Sequence, residues 1–218
     1  MNVEAVSAIL KEGSSVSTKI GSGPAWYRNI VCKSKGNLVY LPLIDRYLEN
    51  TVTSGTYIAI KFFNEFFVYL FSGIVHEIYA GYPGYVIVQI ADAEEIINTR
   101  LSPRYDTYLP ANLKPEWDNV YYFSVITDIS YGGMAFMCTH RFDYSEEVEV
   151  TAYLSVNQVF QIKGKVIRRS IKNAVIDYSM QFTEISEQSC SLLSKYFSRL
   201  DAESAALYQQ YLINLNKQ

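Results

Sequence analysis

The 218-residue chain is 49% hydrophobic, 19% charged and 15% aromatic, a composition that excludes disordered and collagen-like proteins. Its 19 basic and 22 acidic residues give a net charge of −3, which excludes a general affinity of the whole chain for nucleic acid or anionic membrane. The cysteines, Cys32, Cys138 and Cys190, are widely spaced and form no Cys-x-x-Cys pair. We therefore expect reduced thiols in a cytoplasmic protein, with neither a disulfide scaffold nor a zinc site.

The first half of the chain, from Val16 to Ile97, consists of short runs rich in Val, Ile, Tyr and Phe, separated by Gly, Asn, Ser and Pro. This pattern predicts strands and turns, and hence an all-β domain. The most apolar run, FFVYLFSGIV, begins at Phe66 and ends at Val75. It has about half of the ~20 residues that a helix needs to cross a bilayer, so we interpret it as a strand.

The second half begins with a polar connector, ADAEEIINTRLSPRYDTY, and continues with a second series of strand-like runs after Pro110. From Ser186 the apolar spacing becomes helical, with Ser186 as a plausible N-cap and Asp201 as a possible break between two helical pieces. The stripe on this helix comprises Leu192, Leu193, Tyr196, Phe197 and Leu200. We place the domain boundaries at 1–97 and 98–218.

Two short motifs lie in the second half. Arg100 and Arg104 form R-x-x-x-R within the connector, and Asp128, Ser130 and Gly133 form D-x-S-x-x-G at the end of a predicted strand. Two arginines four residues apart are common in proteins, but both motifs in this order on strand-like sequence are much more specific. Together they resemble the PilZ domain family, which consists of small β-barrels that bind the bacterial second messenger cyclic di-GMP (c-di-GMP).

The resemblance runs from about Asn98 to Glu184 and includes a late strand that carries Arg168. Two positions depart from the family pattern. Thr99 precedes the first arginine where many members carry a further arginine, which leaves the ligand stoichiometry open. Ser179 stands where glycine is frequent. The resemblance implies an all-β fold of two small antiparallel β-barrels in tandem, of which the second is a PilZ barrel followed by a C-terminal α-helix.

The residue types suit such a ligand, which is a compact dianion with two guanines. A guanidinium can hold a phosphate with two charge-assisted hydrogen bonds, bind guanine O6 and N7, or stack on the purine. A carboxylate only accepts hydrogen bonds and so suits the N1–H and N2–H₂ edge of guanine, while glycine lets backbone and ligand approach closely. The predicted ligand-binding residues are Arg100, Arg104, Asp128, Ser130, Gly133 and Arg168, and no catalytic or metal-binding residue is predicted.

Each of these residues also has a purely structural interpretation. Arg100 and Arg104 could be solvated charges of a linker, and Asp128 and Ser130 could form an ordinary turn before the glycines. Arg168 could be an exposed strand charge. We further expect the connector from Ala91 to Tyr105 to be mobile without ligand. In that state its own acidic side chains, Asp92, Glu94 and Glu95, would be the available partners for the two guanidiniums.

A β domain placed directly before a PilZ domain resembles the two-domain arrangement of flagellar brake proteins. The resemblance implies a c-di-GMP receptor that changes domain orientation on binding and regulates motility, attachment or exopolysaccharide output. It would act by contact with a protein partner such as the flagellar motor or polysaccharide machinery. The alternatives are a ligand-independent adaptor with a degenerate PilZ domain and, for the first half alone, a β domain of unknown partner. We expect no enzyme activity, no cofactor other than the c-di-GMP ligand, no DNA partner and no membrane insertion.

Overall fold

The structure, a computed structural model, describes residues 5–23, 25–100, 102–155, 158–172 and 175–215. Its helices are α1 (Val6–Ile9), α2 (Asp45–Glu49) and α3 (Glu187–Leu215). Its strands are β1 (Ser15–Ile20), β2 (Tyr27–Ile30), β3 (Lys33–Lys35), β4 (Leu38–Pro42), β5 (Tyr57–Phe63), β6 (Phe67–Tyr79), β7 (Tyr85–Ile97), β8 (Tyr105–Pro115), β9 (Tyr122–Ile129), β10 (Gly133–Cys138), β11 (Glu147–Ser155), β12 (Gln158–Lys172) and β13 (Val175–Ile185). Residue contacts divide the chain into two compact units, Met1–Arg100 with Asp201–Gln218, and Leu101–Leu200.

The first unit is built on a seven-stranded antiparallel sheet in the order β2-β1-β5-β6-β7-β4-β3. Because β2 and β3 follow one another in the chain but lie at opposite ends of this order, the sheet has to curl. Two hydrogen bonds link the segment that holds β2 and β3 to β4, from the Cys32 N–H to the Tyr40 carbonyl, 2.9 Å, and from Asn29 Nδ2 to the Pro42 carbonyl, 3.2 Å. The unit is therefore a curled half-barrel.

Alternating apolar side chains fill the inside of this curled sheet. On β6 the buried positions are Tyr69, Phe71, Gly73 and Val75, with partly or fully exposed residues between them. This period of two is the pattern of a strand with one face in a core, and it confirms the strand predicted for FFVYLFSGIV.

The second unit contains a closed antiparallel barrel in the order β10-β13-β12-β11-β8-β9. Closure leaves no free sheet edge, and the barrel interior holds fully buried Phe136, Phe142 and Phe160 among aliphatic side chains. The predicted tandem-barrel class with a C-terminal helix is confirmed.

Helix α3 starts as predicted but has no break. Ser186 caps it, since its Oγ accepts a hydrogen bond from the Ser189 N–H at 3.1 Å, and Leu193, Tyr196 and Phe197 of the predicted stripe are buried. The prediction of a break at Asp201 is wrong, because the helix continues through this residue to Leu215. Within the first unit, the Asp201 carboxylate pairs with Arg28 at 3.3 Å, which gives this residue of low helix propensity a stabilising contact in the helical conformation.

The predicted polar connector is shorter than expected. Residues 91–97 belong to β7, where they continue the ladder with β6, for example through the pair Phe67 and Ile97. The segment between strands is thus only 98–104. The domain boundaries at 1–97 and 98–218 stay a prediction. None of the helices within the described ranges is long and apolar enough to cross a bilayer.

Candidate functional site

The two sequence motifs meet at one ion pair. Arg104 lies directly before β8 and Asp128 lies near the end of β9, and these neighbouring strands place Asp106 opposite Asp128. Arg104 Nη1 donates to Asp128 Oδ1 at 3.1 Å. The expectation that Arg104 would have only Asp92, Glu94 or Glu95 as partners is therefore wrong, because antiparallel pairing of β8 with β9 brings a more distant carboxylate within reach.

The ion pair is accessible to water. The side chains of Arg104 and Asp128 are 30% and 23% exposed. Both charges are therefore only partly desolvated, and either could be reached by a solute without unfolding the barrel.

Asp128 also belongs to a row of residues that crosses four strands of the barrel. Asp128 of β9 pairs with Ala135 of β10, Ala135 pairs with Ser179 of β13, and Ser179 pairs with Arg168 of β12. Directly opposed residues of antiparallel strands project to the same face. Since neighbours such as Ile129 are buried in the core, this row faces the outside of the barrel.

The row forms a floor of small side chains with a charged residue at each end. Three inter-strand spacings separate Asp128 from Arg168, which is about 14 Å, and only Ala135 and Ser179 lie between them. From the sequence we identified the charged ends but not the small residues between them. Two features of the sequence indicate this floor. The alternation of GMAFMC places Ala135 on the outer face between two buried residues, and Ser179 departs from the family pattern.

Irregular pairing flanks this row in three pairs of strands. The register shifts next to Asp128 between β9 and β10, next to Arg168 between β12 and β13, and after Asp106 between β8 and β9. Such bulges re-aim side chains and are frequent next to functional sites.

Ser130 shapes the turn between β9 and β10. Its N–H donates to the Gly133 carbonyl at 2.8 Å, and its Oγ donates to the same carbonyl at 3.1 Å. The side chain is buried. Ser130 is therefore a turn residue, in agreement with its structural interpretation. Any contact of Ser130 with a ligand stays a prediction.

Gly133 is required by the barrel itself. A β-carbon at this position would lie 2.4 Å from the backbone oxygen of Met180 on β13. The same addition at Gly132 would meet nothing within 4 Å. We predicted that glycine at 133 lets a ligand approach the backbone closely. The structure shows that it lets β10 and β13 approach each other closely.

The two remaining predicted residues are exposed arginines. Arg168 lies on β12 at the end of the row. Arg100 lies at the end of the first compact unit, where its N–H donates to Asn98 Oδ1 at 3.2 Å. The structure thus brings Arg104, Asp128, Ser130, Gly133 and Arg168 to one barrel, whereas the position of Arg100 in the site stays a prediction.

The second unit coincides with a known domain. The PilZ domain matches residues 98–199. These residues belong to the PilZ domain family. The resemblance predicted from the two motifs is confirmed, and the ion pair between Arg104 and Asp128 joins the two signature motifs of this PilZ domain.

Several solved structures resemble the chain. The structure of YcgR from Escherichia coli in complex with c-di-GMP is 13% identical with a TM-score of 0.48, and the match covers 95% of this chain and 92% of that one. The MrkH–c-di-GMP complex from Klebsiella pneumoniae is 12% identical with a TM-score of 0.49, and the match covers 94% of each chain. The inhibitor of motility MotI/DgrA from Bacillus subtilis is 13% identical with a TM-score of 0.43, covering 87% of this chain and 97% of that one. None of the curated protein sequences matches the chain.

The side chains of the site provide anion-binding and hydrogen-bonding groups. Within the described part of the chain, no three His, Cys, Asp or Glu side chains are grouped so that they could hold a metal ion. What the site offers is a guanidinium held beside a carboxylate, next to a shallow floor with a second guanidinium at its far end. These groups suit a ligand that carries both phosphates and hydrogen-bonding bases.

Proposed function

We propose that the chain is a c-di-GMP receptor. The observation that carries the proposal is the ion pair between Arg104 and Asp128, which brings the two motifs of a PilZ domain together at one end of an outward-facing row. Two similar structures, those of YcgR and MrkH, are complexes of those proteins with c-di-GMP.

In the proposed complex, Arg104 exchanges its carboxylate partner for a phosphate. A bidentate guanidinium–phosphate contact satisfies two donors at once, and the released Asp128 carboxylate can accept from the N1–H and N2–H₂ groups of a guanine. Arg168 would contact the ligand from the far end of the floor, and Arg100 from the segment before β8. Because these contacts are ionic, binding should weaken as the salt concentration rises.

The direct test is calorimetric titration of the folded chain with c-di-GMP. Arg104→Ala should weaken binding by roughly 2–5 kcal/mol, the range seen when one partner of a buried charge pair is removed. Arg46→Ala is the matched control, because it also removes an arginine from an ion pair, with Glu49 at 2.6 Å, but in helix α2 of the first unit. The absence of heat at ligand concentrations far above micromolar would overturn the receptor proposal and favour the adaptor alternative.

We further infer that the ligand orders the segment before β8 and thereby changes the orientation of the two domains. The ladder of β6 with β7 already fixes residues up to Ile97, and the Asn98 N–H donates to the Phe66 carbonyl at 2.7 Å, so the adjustable part is 99–104. Ordering costs about 1–2 kcal/mol per residue, which contacts to phosphate and guanine would offset, and the ligand can shift the populations only by its difference in affinity for the two arrangements.

Hydrogen exchange tests this step. Residues 99–104 and 128–133 should exchange more slowly with c-di-GMP, whereas the amides of residues 91–97 that donate to β6 should be protected in both states because they lie in a ladder. Added protection confined to the first unit, or none at all despite binding, would refute the hinge and leave the binding proposal standing.

The output proposed for this receptor is protein contact. The first unit would present the surface that a partner recognises, and the regulated process would be motility, attachment or exopolysaccharide production by a cytoplasmic receptor. With a net charge of −3, we expect no general affinity for DNA, which a gel-shift assay with and without c-di-GMP would check.

A further inference from the structure

Phe197 of helix α3 contacts two tyrosines at the mouth of the barrel. Phe197 is 2% exposed. It stacks on Tyr105 with 4.2 Å between ring centroids and 7° between planes, and it meets Tyr131 edge-on at 5.0 Å and 89°. Both arrangements are among the favoured geometries of aromatic pairs.

These two tyrosines are next to the residues of the proposed ligand site. Tyr105 directly follows Arg104, and Tyr131 lies inside the second motif, directly after Ser130. Tyr131 is 44% exposed. One buried ring of α3 thus touches both chain segments that would hold the nucleotide.

A second contact ties the same helix turn to β8. The Tyr196 hydroxyl shares a hydrogen bond with Thr107 Oγ1, and Thr107 lies in the stretch where the register of β8 with β9 shifts after Asp106. The Tyr196 and Phe197 side chains therefore both contact the part of the barrel that presents Arg104 and Asp128.

We propose that Phe197 is a positioning residue that couples nucleotide binding to the seating of helix α3, an inference that rests on the proposed function. When Arg104 leaves Asp128 for a phosphate, the adjoining Tyr105 and Tyr131 change their contacts with Phe197. The helix therefore responds to ligand, and by thermodynamic reciprocity a change at Phe197 alters the affinity for ligand.

The variant that tests this coupling is Phe197→Leu, which removes the ring and keeps an apolar side chain at a buried position. Leu193→Val is the matched control, because Leu193 is also fully buried on α3 and lies one turn before Phe197, on the same helix face. We expect Phe197→Leu to weaken c-di-GMP binding about fivefold or more, the lower end of typical coupling between sites. Leu193→Val should bind within about twofold of the unchanged chain, whatever its melting temperature.

A readout without ligand separates this inference from the proposed function. In amide NMR spectra of the free chain, Phe197→Leu should shift the signals of residues 104–105 and 130–133, whereas Leu193→Val should leave them in place. If Phe197→Leu fails to fold, Phe197→Met also removes the ring and fills the space with a flexible side chain.

The outcomes are distinct. An unchanged chain that does not bind c-di-GMP overturns the proposed function and the coupling to ligand with it. An unchanged chain that binds, with Phe197→Leu within twofold of it, overturns the positioning role alone. Equal shifts of the motif amides in the Phe197 and Leu193 variants also overturn it, because both substitutions would then act only through the packing of α3.

Discussion

Replacing Gly133 by alanine should destabilise the barrel, because the added β-carbon would lie 2.4 Å from the Met180 oxygen. That oxygen belongs to the backbone of β13 and cannot rotate away, so β10 would have to move outward. Overpacking of this kind costs about 1–3 kcal/mol. The hydrogen bond from the Phe182 N–H to the Gly132 carbonyl, 3.0 Å, joins the same two segments and would add ~1 kcal/mol if broken.

A smaller effect opposes this cost. Alanine restricts the unfolded chain more than glycine does, which stabilises the folded state by about 0.4–1 kcal/mol where the backbone conformation is allowed. The net expectation for Gly133→Ala is a loss of roughly 1–3 kcal/mol. Gly132→Ala is the matched control, since its β-carbon meets nothing within 4 Å and its φ is not positive. The control should lie within about 0.5 kcal/mol of the unchanged chain.

The assay is urea unfolding followed by tryptophan fluorescence. The chain has two tryptophans, Trp26 in the first unit and Trp117 in the barrel unit. In a Trp26→Phe background, Trp117 reports on the barrel alone, so unfolding of the other unit does not obscure the transition. Trp117 is 71% exposed, and its signal comes from the hydrogen bond of its indole N–H to Glu146, 2.7 Å, which unfolding breaks. Equal stabilities of the Gly133→Ala and Gly132→Ala chains would refute the argument that contact between β10 and β13 requires glycine at 133.

Three further predictions concern stability and reactivity. Cys190 is exposed while Cys32 and Cys138 are buried, and burial raises the pKa of both buried thiols, so Ellman's reagent should titrate one thiol in the folded chain and three in denaturant. Burial raises the pKa of Tyr47 to about 12, above the unfolded value of about 10. Its contribution to stability is therefore complete below pH ~10 and lost as the pH rises towards 12, a slope that urea unfolding should show and that Tyr47→Phe should reduce. Ser186→Ala removes the N-cap of α3 and should cost about 1 kcal/mol, measurable as a lower melting temperature.

Sequence patterns predicted the parts of the fold that repeat a simple period over many residues. The run that became β6 extends over several residues with one face buried, and the stripe on α3 covers more than two turns. The short helices α1 and α2, with four and five residues, were not predicted because a single turn cannot establish a helical period.

The polar connector shows why composition misled the prediction. Asp92, Glu94 and Glu95 are charged, which is typical of a loop, yet they lie on β7 and pair with Ser72, Leu70 and Tyr69 of β6. The pairing partner comes from a separate run of sequence, so the residues around 91–97 alone do not indicate this ladder. Exposed positions of a strand accept charged residues because only the backbone has to pair.

The candidate site was predicted in its residues but not in its arrangement. The motifs identified Arg104 and Asp128, but their contact depends on the register of β8 with β9. The floor depends on a row that passes through β9, β10, β13 and β12, whose order differs from the chain order. Strand order and register follow from the closed barrel as a whole, which no single segment specifies.

The ion pair explains how the site could be preorganised and still exchange partners. Ion pairs with water access contribute about 0–1 kcal/mol, and with 30% and 23% exposure the pair of Arg104 with Asp128 lies near that regime. A hydrogen bond to a charged group contributes about 1.5–3 kcal/mol, and a phosphate could accept two such bonds from one guanidinium. Asp128 thus holds the guanidinium beside the row when no anion is present. Because its hold is weaker than that of a bidentate phosphate, it opposes the proposed ligand only slightly.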